Sequence, residues 1–310
     1  MRKLFLGLLI LASGLFNVQK AAAWAVTDTV VADGYYYICS NYITDGKDGN
    51  ALAGKGNIVT ASPGGEYAHM TVLYIQPFAK LASEWQSNLN SIFRITRDAD
   101  GMYHIKSMRE GADTYFYPNQ IIGGNTGYLW ATGRDNDRYY FRTMDWGGSK
   151  NKEGYEYILN RKDSQQFPRA ADITRGLANG NDTSLLVPAT KTFFIRPESS
   201  ISRWRIGGSE LVKLNSQAGN QVGACWYLEE VKLTEDEKAW MDLHGAVTDA
   251  MGNHYTAGSD PGMLSSKEML DKYNKIIDEA TELLEFGGTV DDFKAMQAKV
   301  EGVIAEAAKY

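Results

Sequence analysis

Three short segments of the sequence combine aromatic rings with acidic or amide side chains, as sugar-binding sites do. A flat ring stacks under the apolar face of a sugar, while carboxylates and amides hydrogen-bond its hydroxyls and fix its orientation. The segments are GYLWATGRDND at 127–137, MDWGG at 144–148 and SEWQSNLN at 83–90. The candidate ligand-binding residues within them are Tyr128, Trp130, Asp135, Asn136, Asp145, Trp146 and Trp85.

The alternative for each of these tryptophans is a core role, in which the ring fills or caps a barrel. Trp204 and Trp226, in RWRI and WYLEE, are assigned to the core. The candidate site therefore depends on aromatic residues in turn-rich segments rather than on tryptophan content alone.

Catalytic motifs do not emerge from the sequence. It contains no Gly-x-Ser-x-Gly, no His-Glu-x-x-His and no phosphate-binding loop. The segments RDADG at 97–101 and DGKDGN at 45–50 lack the spacing of a calcium loop and are interpreted as turns. We expect a non-catalytic protein with no cofactor and no metal. A glycan hydrolase remains an alternative, and it would need two carboxylates facing each other about 5–9 Å apart.

The N-terminus resembles a secretory signal peptide. Arg2 and Lys3 precede an apolar run from Leu4 to Leu11, and small residues end the segment at Ala23. The run is shorter than the ~20 residues of a membrane-spanning helix, and no second candidate follows. We expect residues 1–23 to be removed and the chain to be secreted, to the periplasm or the cell exterior, with no membrane span.

Charge is unevenly distributed along the chain. The formal charge is −6, and it becomes −9 once Arg2, Lys3 and Lys20 are removed. Residues 234–310 contain 16 acidic and 7 basic side chains, so the part from 24 to 233 is neutral. No basic surface for a phosphate backbone is expected, which excludes nucleic acid as a partner.

Composition divides the remaining chain into two domains. Residues 24–232 are rich in Gly, Tyr, Thr and Asn, with short alternating runs between turn clusters, as in an all-β domain. Residues 233–310 are rich in Ala, Glu, Lys and Leu, and three capped amphipathic segments predict a small acidic, antiparallel three-helix bundle. The predicted capping boxes are Thr234 with Glu237, Ser265 with Glu268, and Thr289 with Asp292.

A short pattern recurs in the β-rich part. DGYYYICSNY at 33–42 and DGMYHIKS at 100–107 both place Asp-Gly before a strand in which aromatic and aliphatic residues alternate, and EGYEYILN at 153–160 repeats it loosely. Further aromatic-x-aliphatic strands are IFRI, YYFR, RWRI and WYLEE. Such recurrence indicates internal pseudo-symmetry.

Over residues 28–232 this rhythm resembles the ricin-type β-trefoil of exported bacterial proteins, in which a Gly-x-Tyr-x-Ile strand opens each lobe and a Trp-x-Ile/Leu strand closes it. The Gln-x-Trp signature of the plant toxin lectins is absent, because Ser-Arg-Trp and Ala-Cys-Trp stand at 202–204 and 224–226. The last two helices resemble the FIVAR modules of bacterial surface proteins. The resemblance implies a β-trefoil followed by a helical bundle.

The lobes implied by the resemblance are uneven. One runs from about 33 to 95, and residues 100–206 are either two lobes, followed by a closing hairpin at 207–231, or one lobe with an insertion around 120–200. A β-sandwich built from the same alternating strands is the structural alternative.

In a trefoil the first and last barrel strands are neighbours, so the resemblance makes Cys39 and Cys225 a candidate disulfide, with two buried thiols as the alternative.

The residues and the resemblance together predict a lectin-like protein that binds a glycan or glycoprotein. The second hypothesis is a structural or adhesive surface protein whose partner is another protein at the cell surface.

Overall fold

The structure is a computed structural model that describes residues 31–40, 57–63, 71–77, 81–119, 126–135, 137–143, 193–200, 202–206, 211–215, 226–253, 255–256, 264 and 266–309. The strands are β1 (Gly34–Ser40), β2 (Asn57–Pro63), β3 (Thr71–Pro77), β4 (Ile92–Arg97), β5 (Tyr103–Ser107), β6 (Tyr115–Asn119), β7 (Thr126–Thr132), β8 (Tyr139–Thr143), β9 (Phe193–Pro197), β10 (Arg203–Ile206), β11 (Val212–Asn215) and β12 (Tyr227–Glu230). A 3-10 helix spans Trp85–Ser91, and the α-helices are α1 (Glu235–Gly252), α2 (Lys267–Phe286) and α3 (Val290–Ala307). The predicted signal peptide, residues 1–23, lies outside the described residues, as does the EGYEYILN segment.

All twelve described strands belong to one curled antiparallel sheet. The strands β12, β1, β4, β5, β8 and β9 pair in that order. The strands β2–β3, β6–β7 and β10–β11 form three further antiparallel pairs. Because one hydrogen-bonded sheet contains every described strand, they are not divided between the two sheets of a β-sandwich.

The sheet encloses an aromatic core. Trp204 and Trp226 are fully buried, as the sequence predicted, and their rings meet edge to face with centroids 6.3 Å apart. The indole N–H of Trp226 donates to the carbonyl oxygen of Trp204 at 3.1 Å, which satisfies a polar group that burial would otherwise leave unpaired. The other large side chains of this core that are fully buried include Tyr103, Tyr139, Phe93, Phe141, Ile38, Leu73, Ile95 and Ile105.

The recurring Asp-Gly pattern marks strand starts in both described copies. β1 begins at Gly34, and β5 follows a tight turn in which Gly101 has a φ of 83°, a value that L side chains rarely adopt. The carboxylate of Asp98 accepts a hydrogen bond from the Met102 N–H at 2.9 Å across that turn. The interpretation of RDADG as a turn is therefore confirmed.

Two of the three predicted capping boxes are present as expected. Thr234 with Glu237 begins α1, and Thr289 with Asp292 begins α3. The prediction for α2 was wrong by one residue, because the N-cap is Ser266, whose hydroxyl accepts from the Met269 N–H at 3.1 Å. Two adjacent serines both offer a capping oxygen, and the sequence alone did not distinguish them.

Helix α1 is buried on two sides. On one side of α1, Leu243 and Val247 pack on the apolar stripes of α2 and α3. Met241 packs on the sheet side against Tyr35, Ile92 and Met108. The backbones of α1 and the sheet also approach closely, since a Cβ atom on Gly133 would lie 2.6 Å from the Gly252 Cα. The three-helix bundle is therefore continuous with the sheet through α1.

Candidate functional site

Strand β7 places the two aromatic candidates in the middle of the sheet. Tyr128 lies opposite residues of β6 and β11, and Trp130 lies opposite residues of β6 and β3. Leu129, between them, is fully buried in the core. The structure describes only the backbone of Tyr128 and Trp130, which fixes their register next to three other strands.

Asp135 follows β7 and is held by a histidine that sequence analysis did not identify. Its carboxylate lies 2.6 Å from Nδ1 of His104, on β5. The side chain of Asp135 keeps 34% of its surface exposed, so the carboxylate is oriented from one side and open to solvent on the other. The close contact with Asp135 is the main cause of a raised pKa at His104. The carboxylate of Asp98, which lies 3.6 Å from Nε2 of His104, raises the pKa of His104 further.

Arg138 joins the turns around this histidine. Its guanidinium contacts Asp98 at 3.1 Å and Asp100 at 2.9 Å, and its Nε and Nη2 donate to both oxygens of Glu198 at 2.7 and 2.9 Å. Burial alone would raise the pKa of Asp98, but hydrogen bonds from the Met102 N–H and from Arg138 lower it below its ordinary value. The β4–β5 turn, the start of β8 and the residue after β9 are thereby linked.

Asp137 has a structural role in the same segment. It is 8% exposed, and it accepts hydrogen bonds from the Ser199 hydroxyl at 2.5 Å and from the Ser199 N–H at 3.2 Å. Burial raises the pKa of this carboxyl group, while the hydrogen bonds from Ser199 oppose that effect. Of the two aspartates described in this segment, Asp135 is the one with exposed surface.

Trp85 lies elsewhere, at the contact between the 3-10 helix and α1. Its indole N–H donates to Glu237 at 2.8 Å, and its ring meets Trp240 edge to face at 5.4 Å. Glu237 is in the first turn of α1, whereas the segment before Asp135 touches Gly252 at the other end. At 1.5 Å per residue these two points are about 22 Å apart along the helix. Trp85 and Asp135 therefore do not share one site.

The remaining predicted residues cannot be placed around Asp135. Asn136, Asp145 and Trp146 lie outside the described residues, as does Cys225. Cys39 is fully buried in β1, opposite Tyr227 of β12. The proposed disulfide stays a prediction.

The sequence carried little signal for His104 and Arg138. His104 is a polar residue within β5 and Arg138 directly precedes β8, and their partners lie in turns or directly after other strands. Within the described ranges, no group of three or more His, Cys, Asp or Glu side chains is arranged to hold a metal ion. None of the described helices is long and apolar enough to cross a membrane.

Comparisons with known proteins give no family assignment. No family model matches the chain, and no curated protein is significantly similar to it in sequence. Solved structures with limited similarity include the following two. A mosquitocidal holotoxin is 11% identical over 66% of this chain, with a TM-score of 0.35. The PSL1a–E64 complex is 12% identical over 80% of this chain, with a TM-score of 0.34. The chain spans 18% of the toxin and 66% of the second protein.

Proposed function

We propose that the β-rich part is a β-trefoil of the ricin type. The strand pairing supports this, because β1–β4, β5–β8 and β9–β12 each contain a hairpin between their middle two strands. In the first two groups the outer strands also pair with each other, β1 with β4 and β5 with β8, while in the third group β9 pairs with β8 and β12 pairs with β1. The hairpins also meet one another, through β3–β7 and β7–β11 pairing and a bridge between Tyr74 and Leu211.

These groups differ from both lobe divisions drawn from the sequence. They span 34–97, 103–143 and 193–230, so the third group contains residues on either side of position 206. The stretch from 144 to 192, which separates the second group from the third, lies outside the described residues. A trefoil with a long connection after its second lobe accounts for this spacing.

We propose that the protein is exported and binds a carbohydrate without catalysis, at the second lobe. The observation that carries this proposal is the contact between Asp135 and His104. A carboxylate that is oriented by a histidine and still one-third exposed is a preorganised acceptor for sugar hydroxyls. β7, which ends three residues before Asp135, also carries Tyr128 and Trp130. One strand and its following turn thus supply both kinds of group that sugar recognition needs.

The test is a glycan array followed by titration of the best glycan, using the chain without residues 1–23. The helices should be kept, because α1 covers part of the sheet core. We expect Trp130→Ala and Asp135→Asn each to weaken binding by about tenfold or more. Trp146→Ala tests the MDWGG segment in the same way. Asp271→Asn, an equal charge change at an exposed position of α2, should leave the affinity unchanged.

Two results would overturn this proposal. One is an array in which no glycan binds. The other is a glycan whose affinity is unchanged by Trp130→Ala, Asp135→Asn and Trp146→Ala together. Circular dichroism spectra of each variant would show whether the fold is intact.

A further inference from the structure

Helix α2 ends in an aromatic residue that is exposed to solvent. Phe286 has 80% of its surface exposed, while the apolar stripe of the same helix is packed into the helical core. Among the described residues, Met251 is the only other large hydrophobic side chain classed as exposed, at 38%. A ring of this size in water, at the end of a folded helix, is a natural anchor for another molecule.

A groove lies beside this ring, between the end of α2 and the beginning of α3. Its volume is about 460 Å³, and Leu283, Phe286 and Met296 line it. Three acidic residues, Glu279, Glu282 and Asp292, and one basic residue, Lys299, also line the groove. The groove thus combines apolar residues with a net negative charge, and a side chain of leucine size fits such a volume.

The electrostatic field around the groove is negative. Residues 276–299 contain six carboxylates and two lysines, Lys294 and Lys299, of which Lys299 lines the groove. The last turn of α2 contains no basic residue, so the negative end of its dipole is not compensated by a nearby cation on the same helix. Asp292 is used in the capping box of α3, and Glu279 lies 3.7 Å from Lys275. Glu282 forms no ion pair with any described residue.

The geometry points to an interaction surface for a basic amphipathic helix of another protein. We propose that an apolar residue of the partner enters the groove against Phe286 and Leu283, and that its lysine or arginine side chains pair with Glu282 and Glu279. A second copy of this chain fits less well, because the same carboxylates would face one another. This proposal does not depend on sugar binding, since it uses different residues on a different part of the protein.

The experiment uses the chain without residues 1–23 and a defined probe. The probe is a fluorescein-labelled amphipathic peptide of leucine and lysine about five turns long, and a leucine–glutamate peptide of the same pattern is the matched control. Fluorescence anisotropy should show binding of the lysine peptide that weakens as salt is raised, and no binding of the glutamate peptide.

Matched variants separate the groove from general acidity. We expect Phe286→Ala and Glu282→Lys each to weaken the lysine peptide by about tenfold or more. Met251→Ala removes an exposed apolar side chain at the end of α1, and Asp271→Lys makes the same charge change near the start of α2. Both control variants should bind within about twofold of the original protein, because a surface change away from the contact has little effect.

Several outcomes would overturn the proposal. One is equal loss of binding in the groove and control variants, which would indicate attraction by net charge alone. Another is equal binding of the glutamate peptide. A third is a concentration-dependent dimer that Phe286→Ala abolishes, since a second copy would then be the occupant. A fourth is Phe286-dependent binding to anionic vesicles without binding to the peptide. Because Phe286 is mostly exposed, its replacement should leave the circular dichroism spectrum unchanged.

Discussion

The ammonium group of Lys106, on β5, lies 2.6 Å from the carboxylate of Asp249, on α1. The lysine side chain is 4% exposed and the aspartate 33%, so the two charges are buried to very different extents. Lys106 also donates to the carbonyl oxygen of Gly245, and the Tyr115 hydroxyl donates to Asp249 at 2.9 Å. This contact joins the sheet to the helices.

The unequal burial predicts that Asp249→Ala destabilises the protein more than Lys106→Met does. Removing the aspartate leaves a buried ammonium group without its countercharge, which costs roughly 3 kcal/mol. Removing the lysine leaves a partly hydrated carboxylate and places an apolar side chain in the buried position. Lys106→Met should therefore lower the free energy of unfolding less than Asp249→Ala does. Urea denaturation gives both free energies of unfolding.

The control for this comparison is Glu306→Ala. Lys272 and Glu306 lie 2.6 Å apart as well, but both are more than 40% exposed. Exposed pairs contribute about 0–1 kcal/mol, so this change should have little effect. Equal destabilisation by Asp249→Ala and Glu306→Ala would contradict the role assigned to burial.

Lys106 should also make stability depend on pH in the alkaline range. Burial lowers the pKa of Lys106 to about 8, while the contact with Asp249 opposes that effect. The unfolded chain, with a lysine pKa of about 10.4, binds more protons than the folded chain between pH 8 and 10. The titration of Lys106 therefore increases the free energy of unfolding as pH rises above 8. We expect the free energy of unfolding, relative to Lys106→Met, to increase from pH 7 to 9.5, as measured by urea denaturation. A flat difference would contradict the shifted pKa.

Local features of the fold were predictable because their causes lie close together in sequence. The turn before β5 follows from Asp98, Gly101 and their spacing, and the N-termini of α1 and α3 follow from a threonine and an acidic residue three positions later. Strand assignments were local as well. RWRI is a strand, and its pairing with β11 in a hairpin was not predicted, because alternation does not specify a partner.

Contacts between distant segments were not predictable. The side of α1 that meets the sheet includes His244 and Gly245, which a search for apolar periodicity passes over. Lys106 is separated from Asp249 by 143 positions in the sequence. In the candidate site, His104 lies on β5 and Asp135 lies in the segment after β7, so their contact depends on how the two segments are placed by the sheet. The aromatic and acidic composition of the β7 segment was visible, but the group that orients Asp135 was not.

Two of the histidines should titrate in opposite directions from the ordinary value. The close contact with Asp135 raises the pKa of His104, while burial lowers that of His244, whose Nε2 lies 3.0 Å from the Met108 carbonyl oxygen. NMR titration of the ring protons should show His104 losing its proton at higher pH than His244. Asp135→Asn should lower the His104 pKa and leave that of His244 unchanged.

The same shift has a consequence for stability. A raised pKa in the folded state means that the stabilisation from the His104 contact is complete below the unfolded pKa of about 6.5 and is lost as pH rises through the folded pKa. The difference in unfolding free energy between the original protein and Asp135→Asn should therefore decrease as pH rises from 6 to 8. An increase over that range would contradict the assigned contact.

The close approach of Gly133 to Gly252 predicts opposite effects for alanine at different glycines. A Cβ atom at Gly133 would lie 2.6 Å from the Cα and carbonyl oxygen of Gly252, and these are backbone atoms that cannot rotate away. Gly133→Ala should therefore separate α1 from the sheet locally and lower the melting temperature, with a cost of roughly 1–3 kcal/mol.

At Gly302, within α3, an added Cβ meets no atom within 4 Å. Gly302→Ala should stabilise the protein by about 0.5–1 kcal/mol, because alanine favours a helix over glycine. Melting temperatures of the two variants would be measured side by side, and a stable Gly133→Ala protein would show that the helix and the sheet are not in backbone contact.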